Sequence, residues 1–311
     1  MKNWLWTSDF VVEHNVVTVK KTGHVIAINL ELAHDIFTWF CFYVFAQGWR
    51  LQRRLTGHKR PTIAFFPDKP RPWYLIWPVM HCAGAKLVEN AHEADIVMQF
   101  DDSTTSDLTV PDLSRSKRHV RTVNFNCRDI SKSTVAQAFE RVSGYPLAVD
   151  PTTYDGQIVD KSEINAAHDG RVMQGPFARE EGRSYQKLIN NEIDGGLVMD
   201  LRTCIVGGEP AIVFRKRRPL ERRFLNENVE VDWVRPDDVY SPAEIDMLRR
   251  FASEIRLDWG GVDVLRNKDD GRLYVVDANK TDMGPPVAMP LGHKLRATRL
   301  LARAFGRAFA S

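Results

Sequence analysis

Cysteine is scarce in this chain and never paired at short spacing: Cys41, Cys82, Cys127 and Cys204 stand alone. That scatter excludes a zinc site built on Cys-x-x-Cys and a disulfide framework, and it makes a reducing cytoplasm the expected compartment. No stretch of about 20 apolar residues is present, so no membrane-spanning helix is expected. Residues 1–9 lack the charged region, apolar stretch and small-residue cleavage site of a secretory signal. Charge of one sign is not in excess: 43 basic and 40 acidic residues leave a net charge of +3. That balance argues against a dedicated nucleic-acid binder, and no nucleic-acid partner is expected. Internal repeats and low-complexity tracts are missing too. What remains is 311 residues of ordinary globular composition, enough for two or three modules with their own cores.

Aromatics are concentrated in one place. Residues 36–49 carry Phe37, Trp39, Phe40, Phe42, Tyr43, Phe45 and Trp49, and Arg50, Arg53 and Arg54 follow. The segment is too short to span a bilayer. An aromatic stripe at helical spacing is more often core than anchor, so burial against the rest of the protein or a second subunit is expected. A homodimer is one form this burial takes. Membrane contact through 36–54 is the alternative, because an apolar helix followed by arginines also suits a membrane interface.

The punctuation of the chain divides it. Residues 1–56 read as an N-terminal appendage, with a strand over 11–20 and then the aromatic helix, up to a boundary at 56–61. Residues 57–125 read as a small, Rossmann-like α/β domain: strands at 62–66 and 95–100, a helix at 73–84, a polar loop over 101–119, and a strand at 122–125. From 126 to 311 a helix over 133–142 precedes a strand-rich region, with strands at 157–160, 171–174, 185–189, 198–206 and 211–215. An amphipathic helix over 242–256 starts at Ser241, with Glu244 at the reciprocal capping position. A basic helix over 291–309 closes the chain. The expected fold class is α/β (α+β).

The chemistry is densest near the end. Residues 261–266 and 272–279 read as two strands joined by Asn267-Lys-Asp-Asp-Gly271. A three-residue loop, Asp269-Asp270-Gly271 with glycine in the left-handed region, puts Lys268 opposite Arg272 and therefore Asp263 opposite Asp277. Opposed residues share a sheet face, and so do residues two apart, which brings Asn279 to the same spot. Acidic residues are depleted in strands, yet these two sit within runs of valine, leucine and tyrosine. Two carboxylates and an amide oxygen suit Mg²⁺, with Mn²⁺ as the substitute, and Mg²⁺ held by so few protein ligands calls for substrate phosphates.

With these residues in hand, the chain from about 126 to 286 resembles the ATP-grasp superfamily, most closely the branch containing glutathione synthetase and the ribosomal-protein glutamate ligase. In that superfamily a metal-binding Asp, a hairpin and Glu-x-Asn hold two Mg²⁺ ions against ATP. The matching positions are Asp263, Asp277 and Asn279, with Asp277 one methylene shorter than the usual Glu. Arg128-Asp-Ile-Ser-Lys132 before a helix and Gly144-Tyr-Pro146 after it match the upstream series, which makes Lys132 a phosphate contact. Ile158-Val-Asp-Lys161 matches the strand whose lysine meets the α and β phosphates. The glycine-rich lid that follows is reduced to Gly170, and Asn165 and His168 stand where its phosphate contacts are made. Gln186, Lys187, Leu188 and Ile189 match the hinge between two subdomains, near 185–190, whose backbone pairs with adenine. Asp200-Leu-Arg202 matches Asp-x-Arg, with Arg202 facing the transferred phosphate. In the basic run 215–223, Arg215 and either Asn226 or Asn228 match further active-site positions. Lys280 departs from the family's small residues and stands ready for a substrate carboxylate.

The resemblance implies a small α/β domain ahead of an ATP-grasp fold, and Mg-ATP as the bound nucleotide. It implies a ligase that joins a carboxylate to an amine through an acyl phosphate, with small-molecule or peptide substrates. Arg202, Arg215 and Lys161 would be the catalytic cations. A kinase acting on a hydroxyl, or a nucleotide-binding scaffold without turnover, keeps the same fold.

Overall fold

A computed structural model describes residues 10–20, 25–56, 61–116, 119–165, 167, 169–225 and 228–310. The expected strand over 11–20 is two strands, β1 (Phe10–Glu13) and β2 (Val16–Val19), because His14 and Asn15 both take positive φ, 48° and 63°, and turn the chain. Paired left-handed residues are what a two-residue hairpin needs. With β3 (Val25–Ala27) they form an antiparallel sheet in chain order. Helix α1 (Leu30–Leu55) follows, started by Asn29, whose side-chain oxygen accepts the Leu32 N–H at 2.8 Å.

The next unit alternates strand and helix. Strands β4 (Thr62–Pro67), β5 (Lys86–Leu87), β6 (Ile96–Phe100) and β7 (Arg121–Val123), with helix α2 (Ile76–Cys82), give a parallel sheet in the order β5-β4-β6-β7. Continuous apolar runs fit strands buried on both faces. Helix α2 is buried throughout and packs between this sheet and α1, whose Phe42, Ala46 and Trp49 join the same core.

Helix α3 (Lys132–Ser143) begins at Ser131 and ends at Gly144, whose φ of 79° only glycine adopts without strain. Strands β8 (Gln157–Ser162), β9 (Arg171–Gln174) and β10 (Arg183–Lys187) make a separate antiparallel sheet, ordered β10-β8-β9. The last of these lies two residues ahead of its expected place.

The largest sheet takes β11 (Glu192–Ile193), β12 (Leu197–Val206), β13 (Glu209–Pro219), β14 (Glu230–Val234), then, after helix α4 (Pro242–Glu254), β15 (Trp259–Arg266) and β16 (Leu273–Asn279). Its order is β14-β13-β12-β15-β16, with β11 alongside β12, and helix α5 (Leu291–Phe309) closes the chain. The reciprocal cap of α4 forms as expected: Glu244 N–H donates to Ser241 Oγ at 3.3 Å and Ser241 N–H to Glu244 Oε2 at 2.8 Å. Arg266 of β15 also donates to Glu244, at 2.7 Å, and ties the hairpin to the helix start.

One face of this sheet is apolar through its middle, with the Arg215–Asp232 pair at its β13–β14 edge. Leu201, Val213, Val262, Val264 and Val275 meet Val135 and Phe139 of α3 and Leu248 and Phe251 of α4 in one buried cluster. Each large side chain so buried stabilises the fold by roughly 1.5–3 kcal/mol. On the other face only one end is apolar, where Cys204, Phe214 and Trp259 pack on Leu301 and Phe305 of α5. The remaining half of that face is charged.

Candidate active site

Strand alternation assembles the charged half. Arg202 pairs with Asp263, Asp263 with Asp277, Asp200 with Lys216, and Gly261 with Asn279, so these side chains share a face. The hairpin reaches this pairing by a different route from the expected one. Asn267, not Lys268, stands opposite Arg272, giving a four-residue loop, and a bulge between Asp263 and Val264 leaves Val276 unpaired. The extra loop residue and the extra strand residue cancel, so Asp263 still faces Asp277.

Each carboxylate on this face has a cation. Arg202 Nη1 lies 2.8 Å from Asp263 Oδ2, and Arg202 also binds Asp282. Lys132, from the first turn of α3, is buried and pairs with Asp277, while Arg218 pairs with Asp200. Lys161 of β8 reaches across to donate to the Val276 carbonyl at 3.0 Å. Burial pushes the Lys161 ammonium down to about 8 against the pull of Asp277. Burial alone would raise Asp263, but Arg202 and Lys216 outweigh it and bring that carboxyl to about 2. At Asp282 and Asp200 burial prevails over Arg202 and Arg218, and both carboxyls lie above their ordinary value. Lys216 lies below its own for the same reason.

Two glycines make room for this network. A Cβ on Gly261 would overlap Asp282 Oδ2 and lie 2.6 Å from Arg202 Nε, so that ion pair crosses directly over the glycine backbone. One on Gly260 would overlap the Asn279 carbonyl. The dipeptide Gly260-Gly261 was the sequence signal for this crossing. Asp282 itself, in the loop after β16, carried no periodic signal.

Other expected residues fall elsewhere. Arg215 is a correction: it pairs with Leu201, on the apolar face, and holds Asp232 through Nε to Oδ1 at 2.8 Å. The run 215–218 alternates faces, and its members on the charged side are Lys216 and Arg218. Gln186 is buried, with Nε2 lacking an acceptor. In the hinge, the Lys187 and Leu188 N–H groups donate to Leu147 and Gln157 carbonyls, each at 3.0 Å. Lys187 Nζ sits 4.5 Å from the Tyr274 ring centroid. Ile189 is buried behind the sheet, and its carbonyl accepts from Arg223 at 2.9 Å. Asn228 has a buried Oδ1 without a donor. His168 and Asn226 lie outside the described residues. Asn165 is buried, and its N–H donates to Thr104 Oγ1 at 2.8 Å, joining the 162–170 loop to the 101–106 loop. Lys280 is only 1% exposed, with no hydrogen bond at Nζ.

The donor set fits a hard divalent cation. Asp263 Oδ1 is buried with no hydrogen-bond donor, leaving an anionic oxygen on the face it shares with Asp277 and Asn279. Asn279 Oδ1 accepts the Thr281 N–H at 2.8 Å and lies 3.3 Å from Thr281 Oγ1, a hydroxyl whose single proton also reaches Asp102 Oδ1. Among the described residues no group of three or more Asp, Glu, His or Cys is placed to hold a metal. Two carboxylates and an amide suit an ion whose other ligands are water and phosphate. A surface concavity of about 450 Å³ lined by Pro210, Ala211, Arg235 and Leu300 contains none of these residues.

No family profile matches the sequence, and no curated protein matches it. Solved structures share its backbone fold. The ATP-grasp ligase PsnB, in a structure with a phosphomimetic variant of its minimal precursor, Mg and ADP, superposes with a TM-score of 0.50 at 12% identity. That match covers 80% of this chain and 99% of the other. PsnB with precursor peptide PsnA2 and AMPPNP gives the same TM-score and identity over 80% and 98% of the two chains. The chain has the ATP-grasp fold. Within it, the β8–β10 sheet and the large sheet are the two layers that Lys161 bridges, and the charged face of the large sheet looks toward β8.

Proposed function

We propose that this chain is an ATP-dependent ligase that forms an amide bond between a carboxylate and an amine. The observation that carries the reading is the single sheet face on which Asp263, Asp277 and Asn279 meet Lys132, Lys161 and Arg202. Asp263, Asp277 and Asn279 would hold Mg²⁺, which would neutralise charge on the ATP phosphates. Lys161 and Lys132 supply compact positive charge at the triphosphate, and phosphate binding favours the protonated form that burial disfavours in Lys161. Arg202 is held by Asp263 at Nη1 and by Asp282 at Nη2, so its guanidinium is oriented before substrate arrives. Phosphoryl transfer to a carboxylate asks little covalent help of side chains, and these groups position and neutralise. An amine then displaces phosphate from the acyl phosphate to give the amide, with ADP and phosphate as the other products.

The PsnB structures are of a ligase complexed with precursor peptides, and the likeness supports a peptide as the carboxylate or amine partner here. The motif series from Lys132 to Asn279 supports kinship with the glutathione synthetase and ribosomal-protein glutamate ligase branch. Four free cysteines suit a cytoplasmic setting. The test is ADP release from the purified chain across paired panels of peptides, amino acids and small acids, with product masses. ADP release tied to a product lighter than its two parts by one water supports ligation. A stable phosphate ester makes the protein a kinase, and bound Mg-ATP without turnover over the whole panel makes it a scaffold.

A further inference from the structure

Asp282 stands on the charged face without coming from its strands. The loop after β16 folds it back over Gly261, where Asp282 Oδ2 fills the space a Cβ would take and Oδ1 meets Arg202 Nη2. Gly261 pairs with Asn279 and lies two residues along β15 from Asp263, so this carboxylate sits over the strand one side-chain row, about 7 Å, from Asp263. Among the described residues no three acids converge on one ion, which sets Asp282 apart from Asp263 and Asp277.

The same loop is the seam to the small α/β unit. Leu75 N–H donates to the Asp282 carbonyl at 2.8 Å, and Gly284 N–H to the Trp73 carbonyl at 2.9 Å. Trp73 and Leu75 belong to the loop after β4, at the carboxyl end of a parallel sheet, the end at which open α/β sheets take ligands. Lys132 and Lys161 reach the charged face at β16, through Asp277 and Val276, whereas Asp282 leans toward β12 and Arg202. It therefore lies between the cations for the triphosphate and the place for a second substrate. Burial raises its carboxyl above the ordinary value against the pull of Arg202, so it accepts a proton more readily than a solvated aspartate. Neighbouring acids are engaged elsewhere: Asp102 accepts from the Tyr74 hydroxyl at 2.8 Å and from Thr281, Glu163 accepts the Ser133 N–H at 3.0 Å, and Asp200 holds Arg218.

We infer that Asp282 is the general base of the ligation step, taking the proton from the amine that attacks the acyl phosphate. The inference rests on the ligase reading above. The amine nitrogen bonds to the acyl carbon, and the carbon–oxygen bond to phosphate breaks with its electron pair passing to phosphate. The proton shed by nitrogen moves to Asp282, which yields it to the departing phosphate. Arg202, tied to the same carboxylate, faces that phosphate as it leaves, so base and cation are fixed to each other. A role confined to holding Arg202 would serve phosphoryl transfer and amide formation alike, whereas a base serves only the second.

Hydroxylamine, a strong nucleophile that is uncharged at neutral pH, needs no base and traps an acyl phosphate as a hydroxamate. The full chain is incubated with Mg-ATP and the panel of carboxylates, once with hydroxylamine and once with amino acids as the amine. In Asp282→Asn the side-chain oxygen still accepts from Arg202, and the ratio of amide to hydroxamate should fall about a hundredfold or more, the contribution of a positioned base. Asp282→Ala, which also frees Arg202, should lower both products. Amide and hydroxamate falling by the same factor in Asp282→Asn overturns the proposal and leaves Asp282 as a brace for Arg202, and so does amide formation that this substitution leaves intact. No hydroxamate from the parent with any carboxylate overturns the ligase reading itself, and the inference with it.

Discussion

The two faces of the large sheet are made from the same strands and solve opposite problems. On one, Leu201, Val213, Val262 and Val264 are held by α3 and α4 through contacts that any apolar side chain of the right volume can make. On the other, Arg202, Asp263, Asp277 and Asp282 are held by specific charged partners, and a change of sign or a single added methyl group breaks the set. The first face should govern stability and the second turnover. That separation is physical: apolar burial is non-directional, whereas a half-buried ion network depends on where each oxygen lies.

The sharpest way to break the comparison is to cut each face once. Phe251→Ala on the apolar face should destabilise the fold by about 3–5 kcal/mol, read as a large fall in melting temperature. Asp277→Asn on the charged face should reduce ADP release about 10²–10³-fold with little change in melting, since the amide still accepts from Lys132. Equal losses of stability in both variants would erase the distinction. A finer cut compares neighbours of opposite parity: Lys216→Ala should lower kcat/KM about tenfold or more, and Arg215→Ala should leave it within about twofold. Reversed outcomes would restore Arg215 to the site. The smallest effect concerns pH. Burial would raise Glu244, but Arg266 and the Ser241 amide outweigh it and hold the carboxyl below its ordinary value. Its stabilising effect is therefore present at neutral pH and lost as pH falls through that depressed value. Acid unfolding of Glu244→Gln, compared with the parent, should show a shallower loss over that range.

Much of the site was legible because sheet alternation is strict. Two acids in an apolar strand pair, with an asparagine two residues on, fix their own face. Arg215 was misplaced because cations occupy every position from 215 to 218, and a run charged at both parities does not say which parity is buried. Asp282 was illegible because it lies in a loop, where no period constrains direction. For α1 the helix itself was evident, but aromatic residues surround it on all sides, and amphipathicity is the only sequence signal that tells covered from uncovered. In β1 and β2 the turn was missed because His14-Asn15 lacks the glycine that usually marks such a hairpin.

The displaced Val276 has a bearing on how this hairpin tolerates change. Because the irregularity sits between the tip and the acid pair, residues gained or lost at the tip can be taken up there before they reach Asp263 and Asp277. A tip one residue longer or shorter can therefore keep the same ion-binding spacing, provided the slack in the outer strand adjusts by the same count.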